Sequence, residues 1–252
     1  MVESYRRITP ELASRIRLIM TDVDGTLLSS GEYVALEVVD AISGLKQQDI
    51  VVGFVSGRTI PRLENLSSFA GTDGPIVAEN GGSAKLKAEG ELVDLGYSRQ
   101  PALEALEKLK TLFPGAITER EDNNDRLVDV AFVTSGVTAE ELRKHLDGIQ
   151  LLDSGYMLHL LQEGVSKGKT LEKILGQMGG IDPAEVIVFG DSLTDISLFE
   201  LFPHSVLIVN PGLPVEQVTP VRERAGYISS LSCGDGFIEV VSHIINLRAV
   251  KH

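Results

Sequence analysis

Three apolar, β-branched runs occur in the first third of the chain, and each ends in acidic, serine or glycine residues. They read "RLIMTDVDGTLL" (17–28), "IVVGFVSGR" (50–58) and "GPIVAENGG" (74–82). A short apolar run that leads into a polar loop is typical of a buried parallel strand. Helical stretches at 37–48 and from about Pro61 separate the runs. This alternation predicts an α/β fold, a doubly wound parallel sheet of the Rossmann-like kind with right-handed crossovers.

The pattern changes after Gly82. We expect a hairpin around Glu89-Gly90 and then an α+β unit with antiparallel strand pairing, inserted into the sheet domain. The predicted domains are a core formed by residues 1–84 and 165–252 and an inserted cap domain at 85–164. Beyond the first three runs, the predicted helices span residues 101–113, 138–147, 167–178, 194–202 and 236–247, with a short one near Thr9-Pro10-Glu11, and the predicted strands span residues 126–134, 150–153, 156–162, 185–192 and 205–210.

Charge and cysteine content limit the class of protein. The formal net charge of −13 argues against nucleic acid or an anionic membrane surface as a partner. A phosphorylated metabolite suits such a chain where a bound cation reverses the local field. The single cysteine, Cys233, and an N-terminal segment too charged for a signal peptide favour the cytoplasm. No apolar run approaches the roughly 18 residues that a membrane span needs, and the oligomeric state is left open.

Four of the predicted strands end in polar residues that suit one site. Ligands of open parallel sheets bind beyond the carboxyl ends of the strands. A single aspartate at such an end often caps a helix instead, but four polar ends together favour a shared site. Carboxylates without histidine or cysteine indicate a hard, oxygen-ligated cation, for which Mg²⁺ is the usual choice. The residues at these ends are Asp22 and Asp24, Ser56-Gly57-Arg58, Asn80, and Asp191 with Asp195.

The motifs "DVDGTLL", "SGR", a lysine at 167 and "GDSLTD" follow one another in the order found in the haloacid dehalogenase superfamily, which the chain resembles. The insertion between the second and third motifs resembles the larger cap of subfamily IIB. That group contains Cof-type sugar phosphatases, sucrose-phosphate phosphatases and archaeal-type phosphoglycolate phosphatases, and "GPIVAENGG" and "SGYMLHLL" are most similar to the last two. The resemblance covers about residues 17 to 245. It implies a Mg²⁺-dependent phosphatase that acts on a small phosphorylated metabolite through an aspartyl-phosphate intermediate.

The resemblance also implies roles for individual residues. Asp22 would be the nucleophile, and Asp24 would donate a proton to the leaving alcohol and then accept one from water. Mg²⁺ would be held by Asp22, the backbone of Asp24 and Asp191, with Asp195 steadying its water shell. Thr194 stands where many relatives have asparagine, a difference that bears on substrate fit. The residues expected at the phosphoryl group or the substrate are Ser56, Gly57, Arg58, Asn80 and Lys167.

Residues 164–170, "GVSKGKT", admit a second interpretation as the phosphate loop of a nucleotide hydrolase. The strand "EVIVFGD" would then supply the metal-binding aspartate. The stretch is one residue shorter than G-x-x-x-x-G-K-[ST], however, and this interpretation leaves the aspartates of the first strand unexplained. In the preferred interpretation Lys167 faces the strand ends. Lys169 is turned by about 200° around a helix of 3.6 residues per turn and is a surface charge.

The inserted domain offers three candidates for substrate contact. Arg120 and Arg126 are suited to a second anionic group such as a carboxylate, although both also fit a solvated polar turn. His159 either faces the cleft or is a structural histidine. The substrate is left open between a small phosphorylated acid and a sugar phosphate. Two other classes of function remain, a phosphomutase of the same superfamily and a non-catalytic metabolite-sensing protein.

Overall fold

A computed structural model of the protein describes residues 2–29 and 34–249, which form two β-sheets and the helices that cover them. The strands are β1 Glu3–Ser4, β2 Leu18–Thr21, β3 Val51–Val55, β4 Ile76–Ala78, β5 Ser83–Lys85, β6 Ile117–Glu119, β7 Val130–Thr134, β8 Ile149–Asp153, β9 Leu158–Gln162, β10 Val186–Gly190, β11 His204–Val209 and β12 Tyr227–Ser232. The helices are α1 Pro10–Arg15, α2 Leu36–Lys46, α3 Ile60–Ala70, α4 Gln100–Leu112, α5 Ala139–Arg143, α6 Lys167–Leu175, α7 Ile196–Leu201, α8 Val215–Arg222 and α9 Cys233–Ala249.

The larger sheet has eight strands in the order β1-β12-β11-β10-β2-β3-β4-β5. All neighbouring pairs are parallel except β4 and β5, which are antiparallel. The order reverses at β2, because the chain runs from β2 towards β4 on one side and later from β10 towards β12 on the other. Such a reversal leaves a crevice at the carboxyl ends of the central strands. The predicted doubly wound α/β fold is confirmed.

Both faces of this sheet are buried under helices, and strand β2 shows how. The side chain of Ile19 packs into a core cluster with α2, α3 and α9, whereas Leu18 and Met20 pack into a second cluster with α6, α7 and α8. Successive residues of a strand point to opposite faces. All four residues of β2 are buried, so the strand lies between two helical layers and its carboxyl end is the part left open to a ligand.

The smaller sheet is antiparallel, with the order β6-β7-β9-β8, and α4 and α5 pack against it around a separate apolar cluster. We call residues 100–162, which contain these elements, the insert. Helix α5 begins with a reciprocal capping arrangement, in which Thr138 and Glu141 each accept a hydrogen bond from the backbone of the other. The insert therefore has its own local signals and its own core.

Several predicted elements differ from the structure in extent. The short N-terminal helix is confirmed, with Thr9 Oγ1 accepting from the Leu12 amide. The hairpin around Glu89-Gly90 is reduced to a single bridge between Lys85 and Leu92, because β5 pairs with β4 of the larger sheet instead. Strands β1, β6 and β12 and helix α8 were not predicted, since they are short or rich in polar residues. None of the helices in the described ranges has the length and apolarity required to cross a membrane.

Candidate active site

The predicted site residues of four different strands meet at one edge of the larger sheet. Strands β10, β2, β3 and β4 are neighbours, so their carboxyl ends lie side by side. Asp191, Asp22, Ser56 and Asn80 follow these strands directly or within two residues, and all four are buried. They line a cavity of about 350 Å³ that the insert covers from the other side. The topology thus gathers residues that are far apart in the sequence.

A buried ammonium group lies between two carboxylates at the centre of this site. Lys167 Nζ donates to Asp22 Oδ1 at 2.8 Å and to Asp195 Oδ1 at 2.7 Å. Burial by itself lowers the pKa of Lys167, but the two carboxylates more than offset it and hold the pKa above its ordinary value. Burial, with the neighbouring charges of Asp195 and Asp191, raises the pKa of Asp22 well above its usual range. The site has more negative charge than one lysine neutralises.

Asp191 completes the acidic cluster. It accepts hydrogen bonds from Asn210 Nδ2 at 2.6 Å and from Thr26 Oγ1 at 3.2 Å. Burial, together with the charge of Asp195, raises the pKa of Asp191 to about 7. One carboxylate oxygen from each of Asp22, Asp191 and Asp195 lies within 4.8 Å of the others, so the cluster could hold a metal ion. The raised pKa values of Asp22 and Asp191 come in part from repulsion between the carboxylates, which a divalent cation would reduce.

Gly25 is required by the close approach of the loop after β2 to Asp191. Its φ is +85°, and a Cβ at this position would lie 2.2 Å from Asp191 Oδ2 and 2.4 Å from Asn210 Nδ2. Both the backbone conformation and the contact exclude a side chain. The glycine lets the loop that carries Asp22 and Asp24 turn directly over the carboxylate of Asp191.

Asp195 is already fully engaged by the protein. Its Oδ2 accepts from the amides of Asp191 and Ser192 at 3.0 and 3.1 Å, and its Oδ1 accepts from Lys167. Thr194 Oγ1 also accepts from Lys167 Nζ, at 3.1 Å. Asp195 therefore fixes the loop after β10 and the lysine, and its predicted effect on a metal's water shell stays a prediction.

The "SGR" segment after β3 forms a loop whose three carbonyls are all taken up by hydrogen bonds. Ser56 O accepts from the Asn80 amide at 3.0 Å, Gly57 O from Arg126 Nη1 at 3.0 Å, and Arg58 O from the Glu79 amide at 2.9 Å. With its carbonyls held on one side, the loop leaves the Gly57 amide without a hydrogen bond to any described residue. Asn80 Nδ2 is likewise buried without a partner among the described residues and lines the cavity.

Arg58 contacts Asp24 in this structure. Its Nε donates to Asp24 Oδ2 at 2.8 Å and its Nη2 to Asp24 Oδ1 at 2.6 Å. A planar guanidinium that binds both oxygens fixes the orientation of a carboxylate. The sequence predicts contact between Arg58 and the phosphate, and the structure adds a contact that positions the predicted acid–base residue.

The three candidates on the insert differ in what they contact. Arg126 is buried and forms ion pairs with Asp129 at 2.6 Å and Asp122 at 2.9 Å. His159 Nδ1 lies 2.7 Å from the second oxygen of Asp129. All three residues line the cavity, but only the side chain of Arg120 makes no hydrogen bond or ion pair with the described residues. Of the three candidates, Arg120 is thus the one whose charge is not already paired within the described part of the chain.

Glu79 joins the insert to the core and was not recognised as a site residue from the sequence. Its buried carboxylate accepts from the amides of Leu127, Val128 and Asp129 at 2.8–3.0 Å. Burial, with the charge of Asp129, raises the pKa of Glu79, and the three amides act against that rise. Its φ of +52° is uncommon for a residue with a side chain. Asn210 was also missed, because nothing in its sequence context places it beside Asp191, and Asp129 was missed although it lies three residues from Arg126.

The two lysines of "GVSKGKT" behave differently, as the preferred interpretation predicts. Lys167 begins α6 and is buried in the site, whereas Lys169 is exposed. Ser166 caps the helix by accepting from the Lys169 amide at 3.3 Å. The segment is a helix start that delivers one lysine to the strand ends, and it is not a phosphate loop.

Comparison with known proteins agrees with this geometry. Residues 19–125 and 114–219 match the model of a family described as haloacid dehalogenase-like hydrolase. The phosphoglycolate phosphatase of Methanoculleus marisnigri is 32% identical over 90% of this chain and 95% of its own length, and that of Picrophilus torridus is 31% identical over 90% and 91%.

Solved structures show the same fold. A Thermoplasma acidophilum protein superposes with a TM-score of 0.79 at 24% identity, over 92% of this chain and 99% of its own. The sucrose-phosphatase of Synechocystis, solved with sucrose and phosphate, gives a TM-score of 0.68 at 17% identity, over 90% and 97%. The chain belongs to the haloacid dehalogenase-like hydrolases. The family resemblance and the enzyme class predicted from the sequence are confirmed.

Proposed function

We propose that this phosphatase hydrolyses a small phosphomonoester through an aspartyl-phosphate on Asp22. The observation that carries the proposal is the convergence of Asp22, Lys167 and the Ser56-Gly57 loop on one cavity beneath the insert. This arrangement supplies a nucleophile, a fixed positive charge and unengaged donors for the phosphoryl oxygens. Catalysis of phosphoryl transfer rests mainly on such positioning and charge.

The proposed reaction has two displacements at phosphorus. An Asp22 carboxylate oxygen forms a bond to phosphorus while the ester P–O bond breaks, and Asp24 gives its proton to the leaving oxygen. In the second step a water molecule attacks the same phosphorus, Asp24 takes its proton, and the bond to Asp22 breaks to release inorganic phosphate. Asp24 therefore ends as it began, and Lys167 stays positively charged throughout.

Mg²⁺ fits the donor set of the cluster. Asp22 and Asp191 would hold the ion together with the backbone carbonyl of Asp24, since these are hard oxygen ligands. When bound, Mg²⁺ offsets the negative charge of the cluster and of the substrate's phosphoryl oxygens. The protein's own contribution is to hold Asp191 in place through Asn210 and Thr26.

The favoured substrate class is a small phosphorylated carboxylic acid such as phosphoglycolate. Curated relatives named phosphoglycolate phosphatase align with about nine-tenths of this chain at 29–32% identity, and Arg120 offers the insert side of the cavity an uncommitted positive charge. The likeness to a sucrose-phosphatase concerns the fold alone.

Phosphate release from a panel of phosphorylated acids and sugars tests the proposal. We expect release that requires Mg²⁺, stops in excess chelator and is lost in Asp22→Asn, with phosphoglycolate among the best substrates. Asp40→Asn, on the exposed side of α2, is the matched control and should keep full activity. Activity that persists in Asp22→Asn would refute the nucleophile. A requirement for a bisphosphate activator would indicate the mutase, and binding without turnover would indicate the sensor.

A further inference from the structure

A chain of buried polar contacts connects the insert with the phosphoryl-binding loop. Asp129 accepts from Arg126 with one oxygen and lies against His159 with the other. Arg126 then reaches across to the core, where its Nη1 donates to Gly57 O at 3.0 Å. Asp129, Arg126 and His159 are at most 3% exposed. A buried charged network of this kind costs free energy to desolvate, so the contact that it makes with the Gly57 carbonyl needs a functional explanation.

The peptide unit between Gly57 and Arg58 transmits this contact to Ser56. A trans peptide places its carbonyl oxygen and its N–H on opposite sides of one rigid plane. The oxygen is held by Arg126, and the N–H of Arg58 donates to Ser56 Oγ at 3.2 Å. No other hydrogen bond of Ser56 Oγ involves a described residue. Because the hydroxyl oxygen accepts here, its own hydrogen remains available to donate into the cavity that Ser56 lines.

The other two carbonyls of the loop are held by the core itself. The amides of Asn80 and Glu79 bind Ser56 O and Arg58 O, so these fastenings exist whether or not the insert is seated. Gly57 O is the one that depends on the insert. The Glu79 carboxylate in turn holds the amides of residues 127–129, the segment directly after Arg126, which fixes where the guanidinium can reach.

We propose that Arg126 is a positioning residue that couples the seating of the insert to the orientation of the Ser56 hydroxyl, and so to the affinity for the phosphoryl group of every substrate. This inference rests on the proposed function for the meaning of the phosphoryl site. It gives Arg126 a different part from Arg120, because Arg126 acts through the Gly57 carbonyl whereas the Arg120 side chain is unpaired among the described residues.

Arg126→Met tests the coupling, because methionine keeps length and apolar volume but removes the charge and the donors. Arg143→Met is the matched control, since Arg143 also donates from the insert to a backbone carbonyl, that of Leu151 at 3.2 Å, away from the site. The readouts are kcat and KM for phosphoglycolate and for p-nitrophenyl phosphate, which has no second anion. Two further readouts need no turnover: the affinity for inorganic phosphate with Mg²⁺, and hydrogen exchange at the Arg58 amide.

We expect Arg126→Met to weaken inorganic phosphate binding by about tenfold or more, the usual range for a lost hydrogen bond to a charged group. The fall in kcat/KM should be equal for both esters, and exchange at the Arg58 amide should become faster. Arg143→Met should stay within about twofold of the wild type on every readout. Unchanged phosphate affinity in a folded variant, or a loss confined to the ester with a second anion, would overturn the proposal.

Arg126→Met could fail to fold because Asp122 is left unpaired, and two other variants then replace it. Arg126→Met combined with Asp122→Asn removes the unpaired charge of Asp122, and Arg126→Lys keeps a positive charge beside Asp122. In each variant that folds, the affinity for inorganic phosphate decides whether the proposal holds. If the wild type hydrolyses neither ester, the proposed function fails, whereas phosphate binding and amide exchange still report on the coupling.

Discussion

Replacing Lys167 with methionine removes the only ammonium group that contacts Asp22 and Asp195 among the described residues. The lysine makes three hydrogen bonds, of 2.7, 2.8 and 3.1 Å, and is 1% exposed. Removing one partner of a buried ion pair costs about 3–5 kcal/mol, because the remaining charge is left uncompensated. That is a large part of the roughly 5–15 kcal/mol by which domains are stable.

The loss should depend on pH. Without the lysine, the pKa of Asp22 in the folded state rises further above the value near 4 that it has in the unfolded chain. A group with a raised folded pKa favours folding at low pH, and that contribution disappears as the pH increases through the folded pKa. The destabilisation of Lys167→Met should therefore be smaller at pH 5.5 than at pH 8.

Urea unfolding followed by circular dichroism, in excess chelator, measures this difference. Lys169→Met is the matched control, since Lys169 lies two residues along the same helix and is exposed. Its free energy of unfolding should stay within about 0.5 kcal/mol of the wild type at both pH values. Equal losses in the two variants would refute the reasoning, and so would a loss in Lys167→Met that does not change between pH 5.5 and pH 8.

Three further predictions concern single contacts. A residue with a side chain at positive φ costs about 1–2 kcal/mol, and Gly25→Ala should lower the free energy of unfolding by more than that, because its Cβ would also meet Asp191. Gly71→Ala is the control: its φ is +66° and the space around it is open, so in the same urea titration it should show the backbone cost alone. Asn210→Ala removes a hydrogen bond that lowers the pKa of Asp191, so calorimetry should show Mg²⁺ affinity reduced more at pH 6.5 than at pH 8.5. Asp129→Asn should destabilise the protein by about 3–5 kcal/mol at pH 7. Burial raises the pKa of Asp129, but the contacts with His159 and Arg126 outweigh burial, so the pKa in the folded state is lower than usual. The loss of stability in Asp129→Asn should therefore become smaller below about pH 4, where the wild-type carboxylate begins to be protonated. A loss that grew below that pH would contradict the prediction.

The sequence predicts the part of the fold in which each strand is a largely apolar run that leads into polar residues. Strands β2, β3 and β10 are such runs, with Thr21 at the end of β2 as the one polar side chain among them, so both the sheet and the location of the site follow from local pattern. Strand β12, "YISSLS", has serine at three of six positions. Its pairing with β11 and β1 makes it a strand, and no local signal in its sequence indicates that pairing.

The site residues also divide into those that the sequence predicts and those that it does not. Asp22, Asp191 and Lys167 stand in recognisable motifs, and the chemistry of their side chains restricts what they can do. The contact of Arg126 with the Gly57 carbonyl depends on how the insert is seated over the core, which no spacing along the chain encodes. The sequence therefore predicts which groups the reaction needs, but not which groups hold them in place.

The pairing of β1 with β12 bears on how the chain folds during synthesis. Glu3 pairs with Tyr227 and Ser4 with Ile228, so the first strand finds its neighbour only after nearly the whole polypeptide is made. The insert has short-range antiparallel pairings between neighbouring strands such as β8 and β9. Structure built from contacts close in sequence forms faster than structure that closes long loops. We expect the amides of the insert to be protected from exchange before those of the sheet that carries Asp22. In the nascent chain the insert would then be folded before the active site that it covers has formed.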